Sequence, residues 1–482
     1  MTMIIEEGIG GIPGYDYRAW IKSQEEERYD LNTDDKDHYT ASTEFAVCEI
    51  NFMDELNIVE FRMTRLRDEE TCFYLHFQLN DREHAEQLYR EMIQVLLDQK
   101  NHQIVKILLC CTAGLTTSFF AEKLTETAKT MSFDYEFEAM SVNDVYENAK
   151  NYKAVLLAPQ IAYVYNKLKD MIPDTPVLKI PTSVFAGYDA AKGVEFVKEE
   201  LQKEEEARKD KRPEHLIYEE ENDARALEIV WIRDSSALKI GYRIYHHGLV
   251  EKEETVIRGS KELSLQDIED IIETEICLSE KPDFIGIALP GIVNDGTVIY
   301  LGASFSEQNI EKILEEKYDI PVYVENNANA AAYGWYGHQE KYQNVVLLTM
   351  PKGLPNCGAG IVVNGRPVRG AHRFAGELWQ AVNAWVPYEE TEAHAFEPEY
   401  ILKHMAKCAS IVCTVVDPEA VLIRNEMTPD MDELRTAMAE ILEEQYIPQL
   451  VYMADFEEYV FLGGILLSMW RYKQGDHTHQ KH

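Results

Sequence analysis

The stretch Ile104-Val-Lys-Ile-Leu-Leu-Cys110-Cys111-Thr-Ala-Gly-Leu-Thr-Thr-Ser118 decides how the middle of the chain folds. Residues 104–110 form a short, nearly all-apolar run, the signature of a strand buried on both faces in a parallel sheet. A loop of small residues follows, and a helical pattern then spans roughly residues 116–131. Strand-like runs recur at 135–139, 154–157 and 177–180, with helical stretches between them. Strand and helix alternating at this pitch predict a four-stranded parallel sheet with helices on its faces.

On the N-terminal side, residues 1–40 read as polar and irregular. Three β-rich runs follow at 44–52, 57–65 and 71–79, the last alternating through Phe73, Leu75 and Phe77. Asn80-Asp-Arg-Glu then opens a helix with Ala85, Leu88, Met92, Val95 and Leu96 on one face. On the C-terminal side, residues 204–224 are dense in charge and poor in apolar groups, as in a linker or an exposed helix extension. A larger α/β region occupies 225–475. The expectation is an α/β multidomain chain. It has a small α+β domain at 1–100, a parallel α/β domain at 101–203, a charged linker at 204–224 and a further domain at 225–475. A length of 482 residues suits about three domains.

With 85 acidic residues against 47 Lys and Arg, the net charge is −38. Such a polyanion repels phosphate backbones, so nucleic acid is not an expected partner. No run of about 18 apolar residues exists and the first 18 residues lack the pattern of a signal peptide, so a cytoplasmic protein without membrane insertion is expected. Eight cysteines, none in a C-x-x-C arrangement, read as free thiols. The three histidines of the tail, His477, His479 and His482, read as a solvated terminus.

The chemistry concentrates at Cys111. Gly114 permits a sharp turn, and small neighbours leave backbone N–H groups free to meet an anion. The loop enters a helix N-terminus, whose orphan N–H groups and dipole favour phosphate and make a thiolate more available. The expected phosphate cradle is Thr112, Ala113, Gly114, Leu115, Thr116, Thr117 and Ser118, with Cys111 as nucleophile. Cys110 should point to the opposite face, as an inert core thiol.

This loop resembles that of the lactose/cellobiose-class IIB proteins of the bacterial phosphotransferase system. A second block, Leu156-Leu-Ala-Pro-Gln-Ile-Ala-Tyr163, resembles that family's Leu-Leu-x-Pro-Gln-Val signature. The resemblance covers roughly residues 102–203. Threonines at 112 and 116 replace the usual Ala and Ser. The family implies that Cys111 receives phosphate from a IIA phosphohistidine protein and passes it to sugar held by a membrane IIC subunit. It also implies that Pro159 and Gln160 lie near the phosphate; the plain alternative for these two is a strand-ending turn.

Blocks in the last region resemble the ROK family of sugar kinases and repressors. They are Ile285-Gly-Ile-Ala-Leu-Pro-Gly-Ile-Val293, Pro321-Val-Tyr-Val-Glu-Asn-Asn-Ala-Asn-Ala-Ala-Ala332, Gly358-Ala-Gly-Ile-Val-Val-Asn-Gly365 and Arg369-Gly-Ala-His-Arg-Phe-Ala-Gly-Glu377. The resemblance implies a two-lobed, actin-like ATPase architecture with a sugar cleft between the lobes. It implies sugar contact for Asn326, Asn327, Glu377 and Gln380. Departures from the family's pattern bear on catalysis. Asn327 stands where the kinases carry the aspartate that deprotonates the sugar hydroxyl, and an amide cannot take that proton. The paired glycines of the first phosphate loop are absent from residues 232–239. The second phosphate turn reads Met350-Pro-Lys-Gly-Leu-Pro-Asn-Cys-Gly358, and proline offers no N–H to a phosphate. The family's zinc ligands are replaced as well: Gly376-Glu-Leu-Trp-Gln380 lacks the histidine, and Cys408 and Cys413 read as core thiols. No metal and no cofactor are expected. No helix-turn-helix pattern of a repressor occurs in residues 1–100.

Together these readings predict a phosphoryl acceptor at Cys111 coupled to a non-catalytic, sugar-sensing ROK-like region that regulates carbohydrate uptake or use. Two alternatives stand beside it: a transport IIB component serving a separate IIC, and an active ROK sugar kinase. Expected partners are a IIA protein, the IIC subunit under the transport reading, a sugar or sugar phosphate, and a second copy of the chain meeting it through the ROK-like region.

Overall fold

A computed structural model describes residues 12 and 15–475, apart from residues 25–27, 67–68, 100–104, 112–114, 132, 134, 143–144, 150–151, 173–174, 211–222, 234–237, 261, 301–302, 352–355, 426 and 429. The N-terminal region is an antiparallel meander: β1 (Asp30–Asn32), β2 (His38–Ser42), β3 (Ala46–Met53), β4 (Ile58–Arg65) and β5 (Thr71–Gln78). Burial alternates residue by residue along β3, as a strand with one covered face requires. Helix α1 (Arg82–Asp98) covers that face with Leu88, Tyr89, Met92 and Leu96, and Asp81 caps it by accepting from the His84 N–H at 2.8 Å. The stretch read as irregular holds β1, β2 and a short helix, Tyr17–Lys22. Their few apolar residues produced no period, yet Tyr17, Ile21, Tyr39 and Ala41 are all buried.

The middle region forms the expected sheet of four parallel strands: β6 (Val105–Cys111), β7 (Tyr135–Ser141), β8 (Ala154–Leu157) and β9 (Val177–Lys179), in the order β7-β6-β8-β9. Helix α2 (Leu115–Thr130) follows β6. Helix α3 (Ala190–Asp210) runs into the segment read as linker, so the first part of that segment is a helix extension.

The C-terminal region repeats one topology. Its first sheet holds β10 (Ala226–Arg233), β11 (Leu238–His246), β12 (Leu249–Arg258), β13 (Phe284–Leu289) and β14 (Val322–Asn326), ordered β12-β11-β10-β13-β14. Helix α4 (Leu265–Leu278) follows β12, and helix α5 (Asn327–His338) follows β14. The second sheet holds β15 (Val345–Thr349), β16 (Gly358–Val363), β17 (Arg366–Pro367), β18 (Ala420–Arg424) and β19 (Gln449–Tyr452), ordered β17-β16-β15-β18-β19. In both, the first three strands are antiparallel and the last two are added in parallel. This duplication is the two-lobed plan the sequence motifs implied. Helix α6 (Pro398–Val416) belongs to the second lobe, and α7 (Phe456–Lys473) packs against α5 between the sheets. The two helices approach so closely that a Cβ on Gly463 would lie 1.7 Å from the Ala330 carbonyl oxygen, and one on Gly334 2.1 Å from that of Tyr459. Glycine is therefore required at that crossing.

The sequence did not reveal how the N-terminal meander attaches. Its edge strand β5 pairs with β12, Tyr74 opposite Ile257, and makes a ten-stranded sheet with the first lobe. One apolar cluster contains Phe61, Phe73, Phe77 and Met92 together with Ile240, Tyr242, Ile268 and Ile272. Polar contacts close the seam. Glu91 takes the Arg258 guanidinium and the N–H groups of Gly259 and Ser260 at 3.0 and 3.1 Å, while His84 meets Asp270 at 2.8 Å.

His76 lies in this seam, 4% exposed, with its Nδ1 3.9 Å from Glu254. Burial lowers its pKa to about 4, against the opposing pull of Glu254. Between pH 6.5 and about 4 the unfolded chain binds a proton at His76 that the folded chain refuses. Stability from this group is therefore fully present above pH 6.5 and falls by about 1.4 kcal/mol per pH unit as the pH drops through that window. Urea unfolding of wild type and His76→Gln between pH 7 and 4.5 should show a shallower pH slope in the variant. Equal slopes would contradict a neutral, buried His76.

Candidate functional site: a thiol at a strand end and a cleft between lobes

Cys111 ends β6, 5% exposed, and α2 begins at Leu115. In the order β7-β6-β8-β9, the chain leaves β6 for one neighbour and reaches β8 on its other side. The crevice outside the carboxyl ends of β6 and β8 is thus the topological switch point, where open α/β sheets bind ligands. Both sequence blocks singled out for this domain end there. The backbone is fixed on both sides: the Val142 N–H donates to the Cys111 carbonyl and the Ala158 N–H to the Cys110 carbonyl, each at 3.0 Å. Pro159, half-buried, opens the turn Pro159–Val164, and Gln160 is exposed.

Thr112, Ala113 and Gly114 lie outside the described residues. Leu115 and Thr116 form the first turn of α2; Thr117 is buried and Ser118 exposed. The start of a 16-residue helix thus adjoins the thiol-bearing strand end, which is the arrangement that favours an anion. Cys110 is fully buried, and burial together with the neighbouring Cys111 pushes its thiol up to about 12. At neutral pH it holds its proton and is no nucleophile.

The second site is a cleft between the lobes. The first lobe contributes Gly291, Asn326 and Asn329; the second contributes Arg369, Arg373 and Glu377. Asn326 caps α5: its side-chain oxygen accepts from the N–H groups of Ala328 at 2.8 Å and Asn329 at 3.0 Å, and its amide donates to the Gly291 carbonyl at 2.7 Å. Burial raises the pKa of Glu377, while the Trp379 Nε1–H, donating at 2.7 Å, partly offsets it. The expected sugar contacts divide accordingly. Asn326 and Glu377 line the cleft; Asn327, half-buried as the first residue of α5, and Gln380, exposed, are not among its lining residues.

Sequence reading missed two ion pairs that cross the cleft. Arg369 bonds Glu325, and Arg373 meets Asp295 at 3.0 Å, each joining one lobe to the other. Three of these four residues stand or border on the quoted motifs, but their pairing depends on how the lobes face each other. Of the two expected phosphate loops, residues 234–237 and 352–355 lie outside the described residues. Cys408 and Cys413 are buried in the core of the second lobe with Cys357. Among the described residues, no helix is long and apolar enough to cross a membrane.

Residues 106–195 match the family model "PTS system, Lactose/Cellobiose specific IIB subunit", and residues 247–379 match that of the "ROK family". The chain is 40% identical over 100 residues to a xylose repressor of Caldicellulosiruptor bescii, covering 20% of this chain and 24% of that protein. It is 36% identical over 152 residues to a beta-glucoside kinase of Listeria monocytogenes, covering 30% and 49%. The chain thus spans a quarter to a half of the length of these relatives. A ROK hexokinase from Thermus thermophilus superposes with a TM-score of 0.40 at 20% identity, covering 52% of this chain and 100% of that one. The family models thus find a IIB domain of the lactose/cellobiose class at residues 106–195 and a ROK domain at residues 247–379.

Proposed function

We propose that this protein is a cytoplasmic regulator of carbohydrate uptake or use. Its IIB domain accepts a phosphoryl group at Cys111, and its ROK domain binds a sugar or sugar phosphate without catalysis. The observation that carries the first half is the place of Cys111: a thiol at the switch point of a parallel sheet, beside the start of α2. A IIA phosphohistidine protein is the donor. The Cys111 thiolate attacks phosphorus; the S–P bond forms as the N–P bond breaks, and the departing imidazole nitrogen takes a proton. Orphan N–H groups at the helix start hold the phosphoryl oxygens. The added charge of about −2 beside a helix start is enough to bias an interface between domains.

The cleft supports the second half. Arg369 and Arg373 suit an anionic or hydroxyl-rich ligand, and Glu377 offers a buried carboxyl. Asn327 supplies no base for phosphoryl transfer to a sugar hydroxyl. The relatives named for xylose repression and for beta-glucoside phosphorylation set the probes. Thermal-shift titration of the full chain with xylose, cellobiose and glucose 6-phosphate is expected to show saturable stabilisation by at least one of them. In Glu377→Ala that affinity should fall about ten- to a hundredfold, the worth of a hydrogen bond to a charged or buried carboxyl. With ATP present, the same sugars should stay unphosphorylated. No stabilisation by any probe, or an unchanged affinity in the variant, contradicts the role given to the cleft. ATP-dependent turnover establishes the kinase reading instead.

A further inference from the structure

At the end of the first lobe opposite the cleft, three side chains converge that the phosphotransferase and sugar readings leave unused. Strand β10 starts at Ala226 beside Tyr245, near the end of β11, and runs parallel to β13, whose far end leads to Gly291 in the cleft. The β11–β12 turn therefore sits at the remote edge of the sheet, where the segment joining the two domains enters. His246 ends β11. His247 follows with a left-handed backbone, φ 49°, which folds its ring back onto that of His246 at 3.9 Å between centroids and 29° between planes. Asp223, from the joining segment, places Oδ1 2.7 Å from the His247 Nδ1. One ligand atom from each of the three residues lies within 4.8 Å of the other two.

We propose that Asp223, His246 and His247 form a binding site for a divalent transition-metal ion of the zinc class. A separate contact supports this. The His246 Nδ1 lies 3.0 Å from Glu251, a carboxylate that Arg225 also holds. An Nδ1–H donated to Glu251 leaves the Nε2 lone pair free, which is the carboxylate–imidazole pairing that orients histidine ligands. Two imidazole nitrogens with one carboxylate oxygen select zinc, cobalt, nickel or copper over calcium or magnesium, which prefer oxygen alone. Asp223 and His247 are exposed, so water completes the coordination shell. Sequence reading expected no metal. The ligands come from a turn and from a separate segment, without the short spacing by which metal motifs are recognised. An ion bound here ties the segment entering β10 to the β11–β12 turn, and so restrains the junction between the IIB and ROK domains.

The test is competition between the full chain and a chromophoric chelator for Zn²⁺. His477, His479 and His482 are replaced by glutamine in every sample, so that the tail does not bind the ion. The expected result is one Zn²⁺ per chain. His247→Ala and Asp223→Asn should each lose it, and Glu251→Gln should weaken it roughly tenfold or more. Far-UV circular dichroism should be unchanged, because Asp223, His247 and Glu251 are exposed. Absence of stoichiometric zinc, or equal zinc binding by His247→Ala and Asp223→Asn, would overturn the site.

Discussion

Cys111→Ser should lose phosphoryl labelling, while Cys110→Ala keeps it. The reaction joins phosphoenolpyruvate, the general phosphotransferase proteins and a IIA protein with the full-length chain. The expected drop for Cys111→Ser is to background, at least about a hundredfold, as for removal of a nucleophile. A serine hydroxyl offers almost no anion at neutral pH, whereas even an ordinary cysteine is a few per cent thiolate. Cys110 is the neighbouring sulfur and the natural competitor. Its thiol is fully buried and held protonated, with a pKa of about 12. Label that survives in Cys111→Ser and disappears in Cys110→Ala would reverse this assignment.

The second large effect concerns the N-terminal region. Residues 225–475 expressed alone should fail to unfold cooperatively, because β5 and α1 complete the sheet and core of the first lobe. Each large apolar side chain stripped of its cover costs about 1.5–3 kcal/mol, against a total stability of about 5–15 kcal/mol. Several lie in this shared cluster: Ile240 and Tyr242 on β11, and Ile268, Ile271 and Ile272 on α4. Arg258 would also lose Glu91, one of its two carboxylate partners. A chain that keeps residues 12–98 and 223–475, joined by a long flexible linker in place of residues 99–222, should regain a cooperative urea transition. A soluble, cooperatively folded 225–475 fragment would show the meander to be an accessory. For the same reason, kinase and sugar-binding assays belong on the full chain.

The middle domain was the most legible part. Strand β8 and residues 107–111 of β6 are buried on both faces, so they appear as apolar runs, and the loop after β6 carries its chemistry in residue types alone. The duplicated lobes were legible through motifs, because tight turns and close helix contacts demand particular small residues at fixed spacing. The ten-stranded sheet was not. An alternating strand shows which of its faces is covered, not which edge it shares, and Tyr74 and Ile257 are far apart in the chain. β1 and β2 escaped because short polar strands at a sheet margin give no period. At the cleft, Asn326 and Glu377 were recognisable as motif residues. Arg369–Glu325 and Arg373–Asp295 become partners only once the lobes face each other. The ligands proposed for zinc share this property, since Asp223 reaches His247 only through the pairing of β10 with β11.

The most direct test of the account is intact-mass analysis of the wild-type chain after incubation with phosphoenolpyruvate, the general phosphotransferase proteins and a IIA protein, followed by peptide mapping. The account predicts a single added phosphoryl group, carried as a thiophosphate ester on the peptide that contains Cys111. An unmodified chain, or a phosphoryl group mapped to any other residue, would contradict it.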